Sequence, residues 1–159
     1  MSFENRKDRY GDGRLRATEV SLADAQGKPM GCLRSGEGGQ IIVHYRSANQ
    51  ERFRKVLVYI RLFTPLCERL CDFETYYVGD NFEEIGPTGR FVCSIPRVPL
   101  AAGSYPFSLS VYSSENILLD QIEYAGRIKV EQGDFYGTGR SPDKGILFVD
   151  HSWQYLAEN

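Results

Sequence analysis

Long apolar runs are absent from this chain: no window approaches the roughly 18 consecutive apolar residues that a membrane-spanning helix requires. The opening Met-Ser-Phe-Glu-Asn-Arg-Lys has no apolar core of the sort a secretion signal carries. A reducing cytoplasm is therefore the expected compartment. Histidine is confined to His44 and His151, far apart in the chain, and neither a Gly-x-Ser-x-Gly elbow nor a His-Glu-x-x-His pair occurs. Cysteine appears at Cys32, Cys67, Cys71 and Cys93, with no C-x-x-C pair and no secreted disulfide pattern. Cys67 and Cys71 with His44 have the residue types of a metal site but not its spacing. They are read as small hydrophobes, and no metal or cofactor is expected. Strong charge of one sign is lacking too. The net charge is -2, so no cationic field calls for nucleic acid. The densest positive stretch, Arg6 to Arg9 with Arg14 and Arg16, is interrupted by Asp8 and Asp12 and reads as a solvated arm, with residues 1–12 expected to be an N-terminal arm or linker remnant.

What the chain has is strand signal. Runs rich in β-branched and aromatic residues recur between turn clusters. They are Arg14–Leu22, Gln40–Arg46, Lys55–Phe63, Asp72–Val78, Gly89–Pro96, Gly103–Tyr112, Ala125–Val130 and Gly145–Trp153. Only Leu66–Cys71 and Gln154–Asn159 leave room for a helical turn, and neither holds a 3.6-residue period. Short strands at this spacing argue for an all-β fold, an antiparallel two-sheet sandwich of immunoglobulin-like or jelly-roll-like type. A single domain is expected over residues 13–153, with a tail at 154–159.

Side chains alternate across a strand, so the faces can be assigned. Val56, Val58, Ile60 and Leu62 share one face, and Leu57, Tyr59, Arg61 and Phe63 the other. Tyr105, Phe107, Leu109 and Val111 point inward, leaving Ser108, Ser110 and Tyr112 outside. Ile128 and Val130 point in, Arg127 and Lys129 out. Tyr105 is expected to pack in the core or make a corner hydrogen bond.

Near the end, "VEQGDFYGTGRSPDKGILFVDHSW" packs glycines into a loop before one more apolar run. It is not a phosphate-binding loop: "GDFYGTGR" leads to Arg140-Ser-Pro142, not Gly-Lys-Ser/Thr, and no helix pattern follows. Glycine instead relieves the backbone where the chain leaves its sheet.

In order and spacing, "RYGDGRLRATEVSLADAQGKP", "LRSGEGGQIIVHYRS", "SIPRVPLAAGSYPFSLSVY", "LLDQIEYAGRIKVEQGDFYGTGR" and "GILFVDHSW" resemble the C-terminal domain of Wzt, the ATP-binding subunit of ABC transporters that export O-antigen polysaccharide. The resemblance runs from about Arg9 to Trp153. It implies a β-sandwich that recognises a bacterial surface polysaccharide before export, at the cytoplasmic face of the inner membrane. The transporter's nucleotide-binding and membrane subunits are its implied partners. It further implies a homodimer in which the C-terminal strand crosses to the other subunit. Trp153 and His151 are read from the residues themselves as structural, the indole ring anchoring the terminal strand. The nucleotide-hydrolysing half of such a subunit is not in this sequence, so no enzymatic activity is expected.

A sugar offers hydroxyls and flat C–H faces, and a site for it wants aromatic rings beside hydrogen-bonding groups on a rigid, shallow groove. Tyr59, Arg61, Ser108, Ser110 and Tyr112 are the expected glycan-binding residues, with Tyr77, Asp80 and Asn81 at the rim. Tyr76 and Tyr77, read as strand neighbours, face opposite ways. His44 and Arg46 are expected on the other sheet. Arg61, Arg127 and Lys129 leave room for an acidic glycan. Two other readings compete: a dimerisation sandwich without ligand, which would bury the outward tyrosines between subunits, and a glycan hydrolase using Glu74, Asp80, Glu83 and Glu84 as paired carboxylates.

Overall fold

The computed structural model describes residues 1–158; Asn159, part of the expected tail, lies outside the described residues. Ten strands follow in chain order: β1 (Leu15–Asp24), β2 (Pro29–Met30), β3 (Leu33–Arg34), β4 (Gly39–Ser47), β5 (Phe53–Phe63), β6 (Arg69–Glu74), β7 (Phe82–Ile85), β8 (Thr88–Ile95), β9 (Gly103–Tyr112) and β10 (Leu118–Glu131). One sheet has the order β2-β1-β4-β8. The other runs β3-β10-β9-β5-β6, with β7 pairing the first part of β5. All pairings are antiparallel except β3 with β10. The two sheets close a sandwich, as the strand spacing predicts.

The alternation is the reason the layers meet. Val56, Val58, Ile60 and Leu62 of β5 and Tyr105, Phe107, Leu109 and Val111 of β9 are all buried, against Leu15, Val20, Ile41, Val43 and Phe91 from the opposite sheet. Ile128 and Val130 complete the layer from β10. Tyr105 does both things expected of it: the ring is buried and its hydroxyl donates to Ala101 O at 2.7 Å. All four cysteines are free thiols, and burial pushes the Cys93 thiol up to about 11.

Three expectations need correction. The first twelve residues are not a solvated arm. Phe3 is 1% exposed within the core, and Arg9 forms an ion pair with buried Asp120 at 2.5 Å. Asp120 also accepts from Ala17 N at 2.8 Å. Desolvation opposes such a buried pair, and further hydrogen bonds offset it: Arg9 gives Asp120 two bonds and also donates to Phe3 O and Ala17 O.

The strand expected to run to Val78 stops at Glu74. Thr75 Oγ1 accepts the Val58 N–H at 3.1 Å, occupying a donor that further β6 pairing would need. The chain then makes one helical turn, α1 (Thr75–Val78), closed by Gly79 at φ 74°. Tyr76 and Tyr77 sit on that turn, both exposed, with ring centroids 5.6 Å apart.

The apolar run at 145–153 is not a strand of either sheet in the single chain. It makes one bridge, Leu147 to Leu100, with Ala101 N donating to Ile146 O and Phe148 N to Pro99 O. Pro99 has no N–H to return, so the ladder ends there. Phe148 is buried against Phe135, while Trp153 is 93% exposed and anchors nothing within this chain.

Candidate binding trough

The outward face of the larger sheet gathers five of the eight expected residues. Register does this: Tyr59 lies opposite Ser110, and Arg61 opposite Ser108, in the β5–β9 pairing. Tyr112 pairs with Leu57, and its ring meets that of Tyr59 edge to face, centroids 5.2 Å apart. Ser108 and Ser110 are the low points between taller neighbours, so the face dips into a trough. On one flank Gln121 of β10 stands beside Ser110. On the other, Glu74 and Asp72 of β6 stand beside Tyr59 and Arg61.

The electrostatics are nearly closed. Arg61 gives Asp72 two parallel hydrogen bonds, at 2.7 and 2.8 Å. The guanidinium holds the Asp72 carboxyl below the usual carboxylate range. Burial, and then the Glu74 carboxylate beside it, push the Tyr59 hydroxyl up to about 12, with smaller contributions from Tyr112 and Tyr77. Tyr59 is therefore a neutral donor throughout the ordinary pH range. Counting formal charges, Arg61 is outweighed by Asp72 and Glu74 together.

Of the remaining expected residues, Tyr77 comes near enough to act on the Tyr59 hydroxyl, while Asp80 and Asn81 are not sheet neighbours of the trough residues. Tyr77 and Asp80 line a cleft of about 400 Å³ where the β6 and β8 edges part. Asn81 lines a separate groove of about 730 Å³ with Tyr76, Arg54, Lys55, Leu57 and Glu83. The cause is the helical turn at 75–78, which takes these side chains off the sheet surface. His44 and Arg46 lie on the smaller sheet, as expected. The adjacent acids also separate: Glu84 is ion-paired with Arg52 at 2.8 Å, and Glu83 lines the groove. No helix among the described residues is long and apolar enough to cross a membrane.

Sequence reasoning missed the trough's other end. Phe63 of β5 stacks on Tyr124 of β10, centroids 6.0 Å apart and planes 15° from parallel. Phe63 was legible as outward, but Tyr124 sits in a bulge that breaks the two-residue period. Gly126, directly after it, was the available signal.

The family model described as the Wzt C-terminal domain matches residues 6–148. No curated protein matches the chain. Among solved structures, a crystal structure of the C-terminal domain of Wzt is similar at a TM-score of 0.72 and 16% identity, covering 93% of this chain and 87% of that one. A β-glucuronidase of Parabacteroides merdae is similar at TM-score 0.43 and 13% identity, over 76% of this chain and 14% of that one. A CARDB domain from Pyrococcus furiosus gives 0.40 and 11%, over 74% and 94%.

Proposed function

Since the chain belongs to the Wzt C-terminal domain family, whose setting is the O-antigen ABC transporter, we propose that it is a non-catalytic module holding an O-antigen-type polysaccharide for export. The observation that carries this reading is the trough itself: two edge-to-face tyrosines beside a serine floor, on a rigid sheet backed by the core. Stacked rings receive the C–H faces of a sugar, and Ser108, Ser110, Gln121 and Glu74 receive its hydroxyls. With Arg61 neutralised by Asp72 and the Glu74 carboxylate left over beside Tyr59, the surface around Tyr59 suits a neutral sugar ring better than an acidic one.

Such contacts on an open face give a dissociation constant of roughly 0.1–1 mM. Weak single sites release their cargo, and a dimer offering two of them to one polymer gains by effective concentration. The apolar run Ile146–Val149, with Ile146, Leu147 and Val149 exposed in the single chain, supports a homodimer in which this segment crosses to a sheet edge of the partner. In the assembled transporter the domain works at the cytoplasmic face of the inner membrane, beside the nucleotide-binding and membrane subunits.

The test is retention on immobilised bacterial polysaccharides. Tyr59→Ala and Tyr112→Ala are expected to weaken retention while changing stability by under about 1 kcal/mol, since both side chains stand on the outer face. Shortening of the polysaccharide during incubation would speak for a hydrolase, and unchanged retention in both variants would remove the trough as the site.

A further inference from the structure

Between Ile122 and Gly126, β10 leaves its regular register. Ile122 pairs with Leu109 and Gly126 with Phe107, so residues 123–125 stand opposite the single residue Ser108. Tyr124, at the centre of this bulge, has φ 48°, a left-handed conformation that glycine adopts freely and tyrosine does not. The strained turn is clamped from outside. The Arg6 guanidinium donates to Glu123 O at 3.2 Å and to Tyr124 O at 3.3 Å. Asp8 grips the same guanidinium through two bonds of 2.7 Å.

The clamp throws the Tyr124 ring across β9 onto Phe63, with the Cys67 thiol alongside the phenol. Yet the ring adds nothing to the core, which Ile122, Ala125 and Ile128 already supply from β10. Tyr124 remains 57% exposed. A glycine would suit the backbone better, and the side chain buries little, so the ring's use lies outward. Bulges and left-handed non-glycine residues concentrate where a side chain is re-aimed for binding.

We infer that Phe63 and Tyr124 form a second stacking subsite, taking a further neutral sugar ring of the glycan whose first ring lies against Tyr59 and Tyr112. This rests on the glycan-binding reading above. Phe63 lies four residues beyond Tyr59 on the same strand face, about 13 Å away at the rise of a β-strand. That distance exceeds a single sugar ring, so the two platforms serve different residues of one polymer, with the serine floor between them.

The full-length chain is tested on a panel of immobilised neutral bacterial polysaccharides. Methyl glycosides of the constituent sugars of whichever polymer is retained then serve as one-ring probes. Tyr124→Gly is expected to weaken polymer binding about tenfold, the size of one aromatic stack. It should leave one-ring binding at Tyr59 and Tyr112, followed by the NMR shifts of those two rings, unchanged, and hold or raise the melting temperature as the strain is relieved. Tyr124→Phe should bind like the parent. If Tyr124→Gly binds polymer as well as the parent while Tyr59→Ala does not, the second subsite is wrong and the trough stands. If Tyr124→Gly lowers the melting temperature, the ring is packing and the subsite is overturned. If the parent retains no polymer at all, both readings fall together.

Discussion

At the scale of single residues, the trough depends on charges being used up. Arg61 had the look of a free cation in the sequence, because its outward position follows from strand alternation while its partner depends on register. Only pairing β5 with β6 sets Asp72 opposite it. The pair is partly exposed, so its contribution is under about 1 kcal/mol. Its pH dependence follows from the depressed Asp72 pKa. The stabilisation is present above the unfolded carboxylate value near 3.9 and is lost as pH falls through the lower folded value. Thermal melts should show Arg61→Ala slightly less stable than the parent at pH 7, with the gap closing near pH 2. The Tyr59 hydroxyl runs the other way. Raised to about 12, it favours the fold below the unfolded value near 10, and that advantage is lost as pH rises through 12. NMR titration should find the Tyr59 hydroxyl ionising well above the ordinary tyrosine value near 10.

Elements show where pattern suffices and where it does not. The faces of β5 and β9 were legible because four alternating residues on each bury one side, and burial enforces the register. Three segments were not legible. Residues 1–12 carry too few apolar residues to announce burial, yet Phe3 and the Arg9–Asp120 pair tie them down. Thr75 ended a strand through one side-chain hydrogen bond that no periodicity records. The Tyr124 bulge hid half of a 14-residue strand. The first case gives a measurable consequence. Phe3→Ala should cost about 3 kcal/mol as a core truncation, and Asp120→Ala about 3–5 kcal/mol, because Arg9 and the Ala17 N–H lose their partner. A solvated arm would leave both unfolding midpoints within error of the parent, as denaturant titration can decide.

For the whole molecule, the sandwich separates two tasks. In the proposed reading one outer face takes the ligand, and the C-terminal run offers apolar side chains that its own chain leaves exposed. Phe148, packed against Phe135 and Tyr136, hinges that run to the body through the bridge at Leu100. If the proposed homodimer forms through this run, a chain ending at Lys144 should keep its fold and sediment at half the parent's mass, with unchanged far-UV circular dichroism. A truncated chain that still dimerises would place the interface elsewhere.

If the outward face of the β10-β9-β5-β6 surface receives the sugar, backbone amide NMR shifts during titration with a retained polysaccharide fragment show it most directly. The changes should concentrate at 57–63, 72–74, 108–112 and 121–124, leaving β1, β4 and β8 quiet. Changes centred on the smaller sheet, around His44, Arg46 and Arg90, would contradict it.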